Sequence, residues 1–155
     1  RAFAKLESIR DDIVWWNSTT QAIQNLTAGD VVMTDQYNAR ITNEIENEGK
    51  NLAIVWDAGF FYGTDYWAVV AGAPQEKAAL DLIKWFSVPE HQAGFSKLYS
   101  YGTGRKDAAD FIPASQLANL PSSPEHAKFA AEYDNDFWVE NKESLEARFK
   151  AWLEQ

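Results

Sequence analysis

Apolar residues along this chain switch repeatedly between a short continuous run and a spaced, helical pattern. Phe3, Leu6 and Ile9 carry helical spacing up to Arg10, and Ile13-Val14-Trp15-Trp16 is an apolar run of strand length. Ser18, Thr19 and Thr20 then offer N-caps to a helix through Ile23 and Leu26, which Gly29 ends by supplying a left-handed residue. Val31-Val32-Met33-Thr34 reads as the next strand. Asn38 is placed to cap a helix through Ile41 and Ile45 that stops at Gly49, and Leu52-Ala53-Ile54-Val55-Trp56 is a further strand. Trp67-Ala68-Val69-Val70 repeats the strand pattern. Ala78, Leu82, Ile83, Trp85 and Phe86 form one helix face, and Pro89 separates it from a second helix over Glu90 to about Leu98. Beyond Asp107 the chain reads as looser helix punctuated by Pro113, Pro121 and Pro124. The last segment, with Glu143, Leu145, Phe149, Trp152 and Leu153, is amphipathic and should dock on the body.

Strands alternating with helices across short connections predict βαβ units and a largely parallel sheet, hence an α/β fold. No internal repeat, low-complexity tract or Gly/Ser linker marks a domain boundary. Trp15 and Trp16 should face opposite ways if that run is a strand.

Composition narrows the function classes. The chain has 155 residues, 46% of them hydrophobic and 14% aromatic, enough to build a sizeable core. A formal net charge of −9 repels phosphate backbones, which argues against nucleic acid as a partner and suits a cationic ligand. With no cysteine there is no disulfide framework, thiol catalysis or thiolate metal site. No run approaches the ~20 apolar residues that span a bilayer. The opening Arg-Ala-Phe-Ala-Lys-Leu has neither an initiator Met nor a signal-peptide apolar region, so we expect residue 1 to lie inside a longer chain.

An enzyme reading would pair Asp35 with Asp65 as general acid and base, as carboxylates pair in glycoside hydrolysis. Nothing joins them. The sequence holds no Ser-His-Asp spacing, no glycine-rich phosphate loop and no metal-ligand or cofactor motif, and His91 and His126 sit beside Glu90 and Glu125 in what read as solvent-exposed capping turns. A protein-interaction module that uses its aromatic surface is the other alternative.

The stretch Gly63-Thr64-Asp65-Tyr66-Trp67-Ala68-Val69-Val70-Ala71-Gly72-Ala73-Pro74, the helix pair around Pro89, and Ser100-Tyr101-Gly102-Thr103-Gly104 follow one another almost without spacers. That order resembles the later part of the type II periplasmic solute-binding proteins of ABC importers, in particular the spermidine/putrescine-binding family. The resemblance implies a two-lobe, Venus-flytrap architecture of which this chain is the second half. Residues 1–64 and 109–155 would belong to the second lobe, and 65–108 would return to the first, with crossings near Gly63-Thr64-Asp65 and Gly102-Thr103-Gly104. An unpaired sheet edge would then be exposed. It further implies a periplasmic receptor that takes a small amine, works with ABC permease subunits and the N-terminal half of the same protein, uses no cofactor, and performs no chemistry.

The resemblance also assigns residues. Asp35 stands where polyamine binders commonly have Trp; a carboxylate there suits an ammonium group through a charge-assisted hydrogen bond, or else caps the next helix. Asp65 matches the acidic residue that pairs with a substrate amine, the alternative being a turn with Thr64. Tyr101 matches a tyrosine that reaches into the cleft, and Arg105 or Lys106 replaces the asparagine expected after it. Trp138 resembles a late cleft tryptophan, although the glutamine expected after it is Val139, and packing is its competing role. Tyr37, Tyr62 and Tyr101 can box an alkyl-ammonium through cation–π attraction, or serve as core and hinge residues. With these substitutions an amino-acid derivative, an opine or an aminophosphonate is the alternative ligand to a polyamine.

Overall fold

The computed structural model describes residues 1–154. Its helices follow the predicted spacing. Helix α1, Ala2–Glu7, leads through a 3-10 turn at Arg10–Asp12 into an extended segment. Helix α2, Thr19–Ala28, starts on Ser18, whose hydroxyl accepts from the Gln21 N–H, and ends on Gly29 at φ 84°, so both expected boundary signals operate. Helix α3 spans Asn38–Glu46, with Gly49 beyond it in the left-handed region. Helices α4, Glu76–Phe86, and α5, Pro89–Tyr99, form the predicted pair; Pro89 opens α5, where its missing N–H is no loss. Short helices α6, Ala114–Leu117, and α7, Pro124–Ala127, lie in the looser stretch, and α8, Asn135–Leu153, closes the chain.

The strands depart from expectation. Among the described residues the only ladder joins β1, Phe60–Tyr62, to β2, Ala130–Glu132, in parallel, with Phe60 opposite Ala130 and Tyr62 opposite Glu132. Segments 13–16, 31–34, 52–55 and 67–70, all read as strands, carry no ladder, and Trp56 begins a 3-10 turn. Apolar patterning makes a segment extended; a strand also needs a neighbour to take its N–H and C=O groups. Within these segments Val32 is 94% and Trp67 65% exposed. Residues 52–56 still alternate between half-buried and exposed positions, the period of an extended chain.

The densest core lies where α5 meets the 3-10 turn Lys106–Phe111, with Ala93, Ile112 and Leu120 buried together and Leu117 against them. The last helix docks as expected, with Asn141, Leu145, Phe149 and Trp152 as its inward stripe, while Glu143 and Leu153, also expected on that face, are exposed. Trp15 turns onto this stripe, its ring 5.3 Å from Phe149 and 5.8 Å from Trp152, so aromatic packing rather than strand parity orients it. Arg10 donates to the Leu153 carbonyl at 3.1 Å, joining the chain's first turns to α8.

Candidate functional site

Four of the six residues assigned from sequence fall into two groups, each built on a connection between elements, and Asp35 and Asp65 stand outside both. In the first, Gln36 Nε2 donates to the Thr19 carbonyl at 2.6 Å and fastens the 31–37 segment to the start of α2. Tyr37 follows as the residue preceding α3, and its side chain is exposed. Asn38 does not cap that helix as its position suggested. It is the first helical residue, and its Nδ2 donates to the Ser100 carbonyl at 2.7 Å, 62 residues away. Ser100 ends α5 at φ 56°, and Tyr101 comes next, half-buried, its ring stacked at 6.3 Å on Phe95. The Ser96 hydroxyl, fully buried, donates to the Tyr101 carbonyl at 2.6 Å. Tyr37 and Tyr101 therefore lie on neighbouring connections.

The second group hangs on the β1–β2 ladder. The Tyr133 N–H donates to the Tyr62 carbonyl at 2.8 Å, extending the ladder by one residue. Tyr133 also stacks on Trp138 with centroids 5.7 Å apart and planes within 4° of parallel, while Phe137 meets Trp138 edge-on. Tyr62 and Trp138 are thus brought to one neighbourhood by a residue that sequence reading passed over. Two three-residue strands far apart in sequence give no periodic signal, and only their register reveals Tyr133 as the link.

Asp35 and Asp65 remain exposed, and neither carboxylate makes a hydrogen bond or ion pair among the described residues. The capping role for Asp35 does not occur: Tyr37 holds the N-cap position of α3, and no side chain caps that helix. Arg105 is engaged elsewhere, its Nε 2.8 Å and Nη2 2.5 Å from the two oxygens of Asp107. This bidentate bond and its attraction raise the Arg105 pKa, and the same bond holds the Asp107 carboxyl below its ordinary value.

The histidines are not simple capping turns. His91 stacks on Trp85 at 3.7 Å with Nδ1 2.6 Å from the Trp85 carbonyl, and His126 stacks on Trp56 at 4.4 Å with Nδ1 2.9 Å from the Leu120 carbonyl. A carbonyl can only accept, so Nδ1 donates in both. Each histidine fastens a turn against a tryptophan, a structural task. No group of three or more His, Asp or Glu side chains placed to hold a metal occurs among the described residues, and no helix is long and apolar enough to cross a membrane. Surface depressions of about 260 Å³, beside Phe3, Arg148 and Trp152, and about 190 Å³, beside Thr42, Ile45 and Trp56, touch none of the six assigned residues.

Residues 1–128 match the family described as bacterial extracellular solute-binding protein. The chain is 42% identical over 152 residues, 98% of its length, to the gamma-aminobutyric acid-binding protein of Pseudomonas aeruginosa, and spans 43% of that relative. Its fold superposes on the PBP AgtB from A. tumefacien R10 in complex with agropinic acid, with a TM-score of 0.83 and 25% identity over 99% of this chain and 48% of that one. An ABC transporter substrate-binding protein from Bradyrhizobium japonicum USDA 110 superposes with a TM-score of 0.84 and 28% identity over 98% of this chain and 48% of that one. The chain thus spans about half the length of the relatives it matches. It belongs to the bacterial extracellular solute-binding protein family, and its α/β fold is that of the type II periplasmic binding proteins.

Proposed function

We propose that this chain contributes half of the solute cleft of an extracytoplasmic ABC-importer receptor whose ligand is a small amine-bearing acid such as 4-aminobutyrate or an opine-type amino-acid derivative. The 42% identity along nearly the whole chain to a gamma-aminobutyric acid-binding protein carries this reading. The likeness to a binding protein in complex with agropinic acid supports the same ligand class. Asp65, exposed and unengaged within the chain, is the group that pairs with the ligand ammonium; a desolvated ammonium needs such a counter-charge. Asp35 is a second exposed carboxylate, and Tyr37, Tyr62, Tyr101 and Trp138 supply aromatic faces.

The solute favours the closed form by its difference in affinity between open and closed states, and the permease reads that form in the periplasm. No bond in the solute is made or broken, so the receptor needs no cofactor.

Calorimetry of the full-length protein against 4-aminobutyrate, agropinic acid, putrescine and spermidine tests the proposal. We expect binding of an amino acid or opine, weakened about 10- to 100-fold by Asp65→Asn, since a hydrogen bond to a charged group is worth about 1.5–3 kcal/mol. Tight binding of a polyamine with no response to the amino acids would restore the polyamine reading. An Asp65→Asn protein of unchanged affinity would remove Asp65 from the site.

A further inference from the structure

Asn38 occupies a position that sequence reasoning assigns to a helix cap, yet its carboxamide serves a different purpose. It reaches across 62 residues to the Ser100 carbonyl at 2.7 Å, between the connection that carries Tyr37 and the one that carries Tyr101. Ser100 is the only non-glycine residue with positive φ among those described. A serine stays in that region only where its surroundings over-determine it. Three bonds do so here: the Ser100 N–H to the Ser96 carbonyl at 2.8 Å, the Ser96 hydroxyl to the Tyr101 carbonyl at 2.6 Å, and the Asn38 amide to the Ser100 carbonyl. Ser96 and Ser100 are 0% and 9% exposed, so two members of the latch are shielded from water, where a lost partner is not replaced. Covalent geometry and the single hydrogen bond limit the Cα atoms of Tyr37 and Tyr101 to about 13 Å apart, near enough for two tyrosine side chains to flank a small solute.

We propose that Asn38 is a positioning residue of the solute site: its bond to Ser100 locks the Tyr37 and Tyr101 connections into one aromatic face. The inference rests on the reading above that this face meets the solute, and deepens it. Asn38 itself need not touch the ligand. It acts by fixing the turn from which Tyr101 projects, and the strained backbone of Ser100 makes that turn dependent on its three bonds.

Two experiments on the full-length protein separate the latch from the ligand reading. In the first, 4-aminobutyrate is titrated by calorimetry into the wild type, Asn38→Ala, Asn38→Asp, Tyr101→Ala and the Asn38→Ala/Tyr101→Ala double variant. Asn38→Asp keeps the side chain's size and removes both of its N–H donors. We expect each Asn38 variant to bind about 10-fold more weakly, and the double variant to bind no more weakly than Tyr101→Ala alone. Losses that simply multiply would show that Asn38 does not act through Tyr101 and would overturn the proposal. In the second, hydrogen exchange is followed with no ligand present. We expect Asn38→Ala to speed exchange of the Ser100 amide, whose N–H is bonded to the Ser96 carbonyl, while those of α8 keep their wild-type rates. Unchanged exchange at Ser100 would overturn the latch even if binding falls. If the wild type takes no 4-aminobutyrate, the ligand reading fails and the exchange result judges the latch alone.

Discussion

Trp152→Ala should be the most damaging single change to the packing of α8. The indole is 7% exposed, and its ring lies within 6.2 Å of Phe3, 5.8 Å of Trp15 and 5.9 Å of Phe149. The Arg10 guanidinium sits 4.6 Å above it, and its N–H donates to Glu7 Oε2 at 2.6 Å. A tryptophan buries about 200 Å², which at about 25 cal/mol per Å² corresponds to about 5 kcal/mol. That figure is an upper bound, because the unfolded chain already shields part of the ring. The depression of about 260 Å³ beside Phe3, Arg148 and Trp152 gives the neighbours room to collapse, which lowers it further. We therefore expect a loss of about 3–4 kcal/mol, read by urea unfolding as a lower midpoint at an unchanged slope. Trp152→Phe keeps most of the apolar contact and loses the N–H bond to a half-exposed Glu7, so about 1–1.5 kcal/mol should go. An alanine variant within about 1 kcal/mol of wild type would refute the docking of α8 on the chain's first turns.

Two further outcomes follow from local geometry. Gly29→Ala places a Cβ in open space, with nothing within 4 Å, at φ 84°, so the loss should be conformational only, about 1 kcal/mol in the same unfolding assay; a gain in stability would contradict the left-handed end of α2. The Arg105 guanidinium holds the Asp107 carboxyl below its ordinary value near 3.8, so this pair stabilises the fold above that pH and the stabilisation is lost as pH falls through the depressed value. Arg105→Ala should return the Asp107 carboxyl-carbon titration, followed by NMR, to its ordinary position and leave the stability difference from wild type smallest in acid. Identical titrations in both proteins would mean that the pair does not persist in solution.

Local signals were legible wherever the chain satisfies itself. Ser18 and Gly29 bound α2 because a hydroxyl and a missing Cβ settle helix ends within a few residues. Pro89 separates α4 from α5 through its own fixed ring, and the inward stripe of α8 follows from helical spacing. The solute-binding fold was legible through the resemblance carried by the motifs from Gly63 to Tyr101 and their order, while charge bore only on the kind of partner. The ligand class was less legible: the resemblance favoured a polyamine, whereas the relatives bring 4-aminobutyrate and an opine forward.

Tertiary structure alone decided where backbone groups find partners. Segments 31–34 and 67–70 have the composition of strands, but a strand is a property of two segments, and the partner is not written in either. The same reason hid Asn38: a side chain free to cap its own helix and one drawn to a distant carbonyl look alike in sequence. Tyr133 joined Tyr62 to Trp138 only through the register of β1 and β2. The sequence by itself determined helix ends, apolar faces and the supply of carboxylates and aromatics, because these depend on residues a few positions apart. Which of them share a face was decided by hydrogen bonds and ring contacts between residues tens of positions apart, and those form only when the whole chain is packed.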